Sequence, residues 1–309
     1  MDNTPSGGRY AAERIERLVK AIVGLQSDVL NDREPEPLHQ LRVRFRYLGT
    51  LLRQFAPALL LPEQVTENQL AKTGRRLGLV RDLDVLLGQL EHHYGPLLTD
   101  QDRDLLKPLL KSLRRERKLA FLEMAEELRS RRYLKLLAKL QGWLRKPVYT
   151  AMGQEPAQDW LPEWKAPVLA GLLSHAGWRA TDADRDAAGL HDLRKRIKQA
   201  RYGLANLQTL VPESLDAWLG LFKSQQESLG MLNDLQVLTK ALDNQLGGAL
   251  GTELPELNQH LQAQKDRLWQ QWQGQARWML AEPGRCALHG LLWPGVGGVG
   301  APLPPTMIA

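Results

Sequence analysis

The nine residues Leu38-His39-Gln40-Leu41-Arg42-Val43-Arg44-Phe45-Arg46 recur as Leu190-His191-Asp192-Leu193-Arg194-Lys195-Arg196-Ile197-Lys198, 152 positions further along the chain. A second segment repeats at the same offset. Leu77-Gly78-Leu79-Val80-Arg81-Asp82-Leu83-Asp84-Val85-Leu86 is answered by Leu229-Gly230-Met231-Leu232-Asn233-Asp234-Leu235-Gln236-Val237-Leu238. Two matches in register, with no net slip, mean that the second half repeats the fold of the first. The expected architecture is a duplicated helical bundle whose halves are related by approximate two-fold symmetry.

Apolar residues recur at steps of three and four through Ala11–Leu30, Leu38–Phe55, Leu70–His92, Asp102–Leu128, Tyr133–Leu144, Leu190–Leu210, Leu215–Leu246 and Leu257–Leu280, the period of an amphipathic helix. Proline or paired glycine separates these runs, as at Glu34-Pro35-Glu36-Pro37, Tyr94-Gly95-Pro96, Val211-Pro212 and Gly247-Gly248. Aromatic residues make up only 6% of the 309, and the chain is rich in Leu, Arg, Lys, Glu and Gln, so an all-α fold with little or no sheet is expected. Four prolines between Pro147 and Pro167 place a linker at 147–167. The first repeat then spans 10–146 and the second 168–282, followed by a Gly/Pro-rich tail, 283–309, without helical period and expected to be disordered.

With 43% hydrophobic and 25% charged residues the chain can bury a sizeable core. The net charge is +6, and the excess is uneven: residues 1–150 hold 27 Lys and Arg against 19 Asp and Glu, residues 151–309 hold 14 against 16. Such an excess points to polyanionic partners. Cys286 is the sole cysteine, which excludes an internal disulfide or a cysteine metal cage and suits a reducing, cytoplasmic setting. No signal core or apolar run long enough to span a bilayer is evident, so no membrane role is expected.

At about 100° per residue His39, Arg42, Arg46 and Arg53 share one helix face, opposite Leu41, Phe45, Leu48, Leu52 and Phe55. In the second copy His191, Arg194, Lys195, Lys198, Arg201 and Tyr202 share the matching face, backed by Leu193, Ile197, Ala200, Leu204 and Leu207. No acidic residue falls between Leu38 and Leu61. An uncompensated ladder of like charges costs helix stability, which a ligand would justify. The stripe from His39 to Arg53 runs roughly 21 Å, suited to following an extended polyanion. Further cations at helical spacing are Lys72, Arg75 and Arg76, then Lys107, Lys111, Arg114, Arg115 and Lys118; Lys223 is the clearest addition in the second half. Solvated faces account equally well for any single one of these.

His39 and His191 suit phosphate contact or a hydrogen bond at a helix N-terminus, with a packing role as the alternative; one His per repeat without a ligating partner at i+3 or i+4 makes a poor metal site. Asp82 and Asp234 hold matched positions, but one carboxylate per repeat is thin for Mg²⁺. An ion pair with Arg75 or a hydrogen bond to the histidine is the expected role of Asp82. No general base with an orienting partner and a nucleophile can be assembled, so no catalytic residue, metal or cofactor is expected.

The two LHxLRxRx(R/K) helices, each followed by LGxxxDLxVL, resemble the CHAD domain, the conserved histidine α-helical domain, over most of residues 10–282; Arg132–Leu144 also looks like that family's short helix near the end of its first half. The resemblance implies two pseudo-symmetric four-helix bundles and a basic channel that binds inorganic polyphosphate. His39, Arg42, Arg46, His191, Arg194 and Lys198 would line it. Some relatives carry a CYTH catalytic domain with an ExExK strand; the only E-x-E here, Glu34-Pro35-Glu36, continues as Pro37-Leu38, so this chain is expected to stand without it. The expected function is polyphosphate binding, with targeting to polyphosphate granules, without enzymatic activity. The alternatives are a nucleic-acid binder, weakened by the scarcity of aromatics along the stripe, and a metal-dependent phosphohydrolase.

Overall fold

A computed structural model describes residues 4–211 and 215–292. Its α-helices are α1 (Gly7–Asn31), α2 (Glu36–Gln54), α3 (Glu67–Gly88), α4 (Asp100–Arg129), α5 (Arg131–Arg145), α6 (Ala151–Gln154), α7 (Leu161–Leu173), α8 (Ala187–Leu207), α9 (Asp216–Gln245), α10 (Leu250–Glu253), α11 (Pro255–Leu280) and α12 (Glu282–Gly290). Among the described residues there is no strand; two isolated bridges, Ser6 with Pro156 and Leu59 with Tyr149, are the extended pairings. The all-α expectation holds.

Local chemistry sets the helix ends. Ser6, Thr66 and Ser130 each accept a hydrogen bond from the backbone N–H three residues on, capping α1, α3 and α5. Pro37, which read as part of a break, lies in the first turn of α2; Pro255 likewise opens α11 and Pro283 lies in the first turn of α12, where a missing N–H costs nothing. α1 ends at Asp32 in the left-handed region, φ 49°.

The described residues divide into two compact units, the first drawn from Met1–Glu91 and Leu110–Trp164, the second from His92–Leu109 and Lys165–Ala309. In the first, α1 packs on α2, α2 on α3, and α5 and α6 on α1; in the second, α8 packs on α9 and α9 on α11. The apolar faces read from the sequence form the cores: Leu41, Phe45, Leu48, Leu52 and Phe55 of α2 are buried, as are Leu193, Ile197, Ala200, Leu204 and Leu207 of α8. These units differ from the expected 10–146 and 168–282, because residues 92–109 belong to the second unit and the first runs on to Trp164. The chain changes unit inside the π-helical segment Gln89–Tyr94 and again in α4 beside Pro108, which has no N–H for the helix ladder.

The stretch 147–167 is not a bare linker. It contains α6 and the start of α7, and Trp164 is fully buried, stacked on Phe55 with ring centroids 4.7 Å apart. The Trp164 indole N–H donates to the Ala157 carbonyl at 3.0 Å, and its own carbonyl accepts from the Gln54 amide at 2.8 Å. Gly153 passes so close to Ala58 that an added Cβ would meet its carbonyl oxygen at 2.0 Å. Proline density marked this segment as a break, but Pro162 starts a helix and Pro167 is accommodated inside it. Trp164→Ala is expected to cost about 3–5 kcal/mol and to lower Tm by on the order of 10 °C in calorimetry; a shift under about 2 °C would mean that the segment does not dock as seen. The supposed tail likewise begins as a helix, α12, with Leu288 and Leu291 buried. The rest of the tail, 293–309, lies outside the described residues.

Among the described residues no helix is long and apolar enough to cross a membrane.

Candidate functional site

In each unit the basic face lies beside the neighbouring helix of the same unit, α3 for α2 and α9 for α8. The Arg42 guanidinium lies across Gly78, where an added Cβ would come within 3.3 Å of Nη2, and Nη1 donates to Asp82 Oδ1 at 2.8 Å. Arg194 lies across Gly230 in the same manner, at 3.2 Å. The glycine repeated in LGxxxDLxVL therefore has a physical purpose: without a Cβ, α3 and α9 let a planar guanidinium rest on the helix surface. The repeat displayed this glycine, but its partner, 36 residues away in both copies, became visible only when the helices packed.

One rung further lie the histidines. His39 is half-buried, its imidazole held below the usual histidine range by burial first, then by Arg81, with Arg46 and Arg42 adding and Glu36 opposing. His191 is also held down, by burial first and then by Lys195, Arg194 and Lys198, against a hydrogen bond to Asn233. That bond joins His191 Nδ1 to Asn233 Oδ1 at 3.0 Å, so Nδ1 is the donor. Arg81 and Asn233 occupy the same repeat position. The structure thus gathers His39, Arg42 and Arg46 with Arg81, and His191, Arg194, Lys195 and Lys198 with Asn233. Arg81 and Asn233 were not among the candidates, since an alternating face on α3 did not reveal which side met α2.

Other candidates are placed differently. Arg53 pairs with Glu67 at 3.1 Å, and Arg201 donates to Gln226 at 3.1 Å. Tyr202 is buried at 3% exposure, like its counterpart Thr50, so it is a core residue and not part of the basic face. It still serves that face indirectly, because the Arg201 guanidinium sits 4.8 Å from its ring centroid. Arg76 pairs with Glu123 and Arg114 with Glu91, both within the first unit. Lys72, Lys111 and Lys118 are exposed, and Lys223 is exposed with Glu227 3.9 Å away. Lys107 falls in the second unit and pairs with Asp104 at 2.5 Å. Asp82 pairs with Arg42, correcting the expected partners Arg75 or histidine, while Asp234 accepts from Asn233 at 3.3 Å. Two of the cations in the acid-free stretch between Leu38 and Leu61, Arg42 and Arg53, are thus compensated by carboxylates from α3. Among the described residues no group of three or more His, Cys, Asp or Glu is arranged to hold a metal ion.

An all-helical chain that twice sets an Arg-His face against a glycine of the adjacent helix defines the class, a duplicated basic helical protein. The CHAD domain family model matches residues 13–243, and the chain belongs to that family. Two uncharacterised proteins of Mycobacterium tuberculosis, from strains CDC 1551 and H37Rv, are each 27% identical over 201 residues, which is 64% of this chain and 38% of theirs. The chain thus spans well under half of these relatives. Among solved structures, the CHAD domain from the plant Ricinus communis aligns with TM-score 0.63 at 24% identity, covering 98% of this chain and 96% of that one. PptA from Streptomyces chartreusis aligns with TM-score 0.57 at 16% identity, covering 86% and 99%. At these identities the likeness concerns the fold.

Proposed function

We propose that the chain binds inorganic polyphosphate along the basic faces of α2 and α8, without turning it over, and that this binding carries it to polyphosphate granules. The observation that bears most weight is the twice-built Arg-on-Gly arrangement with a neutral-leaning histidine beside it. Arginine offers forked donors to phosphate oxygens, and the glycine leaves its plane presented instead of folded against a side chain. Tyr202, the aromatic that the sequence set beside the second face, is buried, which disfavours base stacking there.

The test is a titration with long-chain polyphosphate, with and without chelator and with duplex DNA as competitor. Chelator-insensitive binding that DNA does not displace, with no phosphate released, is the expected result; displacement by DNA would favour a nucleic-acid binder, and phosphate release a hydrolase. The pH dependence has a definite sign. Both imidazoles are held below their usual range, so folding favours their neutral forms and their contribution to stability is present above the ordinary histidine pKa, about 6.5, and lost as pH falls through the depressed values. A bound polyanion offsets the neighbouring cations and raises both pKa values, so binding takes up protons and tightens between about pH 7.5 and 5.5. The His39→Gln, His191→Gln double variant is expected to flatten that profile.

A further inference from the structure

The two basic faces share a sequence motif, yet the helices beside them differ in charge. α3 supplies two carboxylates to the cations of α2: Asp82 to Arg42 and Glu67 to Arg53. α9 presents amides to α8 instead, Asn233 to His191 and Gln226 to Arg201, and its Asp234, at the position of Asp82, accepts from Asn233 at 3.3 Å. Arg194, the counterpart of Arg42, forms no ion pair among the described residues, and its buried Nε has no hydrogen-bond partner there. The second face also carries cations where the first has none, Lys195 in place of Val43 and Arg201 in place of Gly49. Position 74, opposite Gly49 in the register, is glycine, and added Cβ atoms on Gly49 and Gly74 would meet nothing within 4 Å; the matching pair in the second copy is the bonded Arg201 and Gln226. This rung is thus empty in one unit and filled in the other.

From these differences we infer that the two faces are inequivalent anion sites: the second, centred on Arg194, engages a polyphosphate first and more tightly, while Asp82 acts as an internal competitor for Arg42. The inference rests on the polyphosphate reading and runs against the bulk charge, which is concentrated in the first half. Bulk charge is a poor guide here because it does not say which cations are held by a carboxylate and which stand free of one: Arg42, Arg53, Arg76, Arg114 and Arg117 all pair with carboxylates of the first unit. An incoming phosphate gains less from a paired arginine, since it must displace an oxygen already at 2.8 Å. At Arg194 no carboxylate among the described residues has to be displaced first. Asp82 is two-thirds exposed, so it can swing away without unpacking the core. It is a positioning residue, setting when Arg42 becomes available, and Gly230 is the seat on which Arg194 is held ready.

The experiment measures the affinity of the full chain for tripolyphosphate and for long-chain polyphosphate in four forms: wild type, Asp82→Asn, Arg42→Gln and Arg194→Gln. Circular dichroism checks each fold, and Arg194→Lys serves as a charge-conserving partner in case Arg194→Gln loses structure. Arg194→Gln is expected to weaken tripolyphosphate binding at least about tenfold and Arg42→Gln less than about threefold. Asp82→Asn, which removes a charge while keeping the shape, is expected to tighten long-chain binding several-fold and to add a second class of tripolyphosphate site. Equal losses at Arg42 and Arg194, or no gain from Asp82→Asn, in a protein that binds polyphosphate would overturn the inequivalence and leave the proposed function standing. A wild-type chain that binds neither probe would overturn both.

Discussion

Neutralising Arg42 and Arg194 together, as Arg42→Gln with Arg194→Gln, is expected to weaken long-chain polyphosphate binding by roughly a hundredfold or more. A hydrogen bond to a charged group contributes about 1.5–3 kcal/mol, and each guanidinium presents several donors to phosphate oxygens. Glutamine is preferred to glutamate because a new acid at 42 would stand against Asp82 and confuse lost binding with lost folding. Both sites are backed by buried Leu41, Phe45, Leu193 and Ile197, which the substitutions leave alone, so helicity should survive. Salt gives a second handle. Each phosphate contact releases counterions, so log affinity falls linearly with log salt, and for a single-stranded polyanion the slope is about 0.7 per contact. Removing two contacts should flatten the slope by about 1.4 if both are made to phosphate. Unchanged affinity and slope in a folded double variant would place the ligand elsewhere.

A large effect on stability is expected at Arg117, a residue outside the basic stripe. Its Nε donates to Asp84 at 2.9 Å, its two Nη atoms reach the Asp32 carboxylate, and its guanidinium sits 5.4 Å from the Phe121 ring centroid. These bonds hold its proton above the usual arginine range, the Asp32 bond most of all, against the cost of burial. Asp84 is only 12% exposed and its Oδ2 is buried without a partner, so it depends on this one cation. Arg117→Met strands both carboxylates and is expected to cost about 3–5 kcal/mol, with Tm falling by on the order of 10 °C. A double-mutant cycle supplies the control: adding Asp84→Leu to Arg117→Met should recover a large part of the loss, because it removes the buried charge left behind. If Arg117→Met melts within about 2 °C of the parent, the clamp contributes nothing net. The second unit has a counterpart, with Asp184 at the position of Asp32: Lys265 Nζ reaches Asp184 at 2.9 Å, and Gln236, at the position of Asp84, donates to it at 3.2 Å. The lysine bond, the largest influence, holds the Asp184 carboxyl below its ordinary value.

Arg117 shows how legibility depends on the reach of an interaction. In the sequence it is one of several cations on α4, indistinguishable from Arg114 or Lys118. Its carboxylates lie 85 and 33 residues away, and no local pattern connects them. Tyr202 illustrates the opposite error, since helical spacing put it at the edge of the basic face and the packing of α8 turned it inward. Trp164 and Pro167 stand for a third kind. Proline density reads as a break because proline lacks a donor, but a fully buried tryptophan stacked on Phe55 outweighs that local cost.

The sequence by itself determined the helical class, the duplication, the buried face of each basic helix, and the grouping of His39 with Arg42 and of His191 with Arg194. All of these follow from period and repeat, which are properties of neighbours along one helix. Only the tertiary structure decided which cations are already paired with carboxylates, that Gly78 and Gly230 seat Arg42 and Arg194, and that segment 147–167 is part of a core. Those outcomes depend on which face of one helix meets which face of another, and the contacts involved fall off within a few ångströms across residues far apart in the chain.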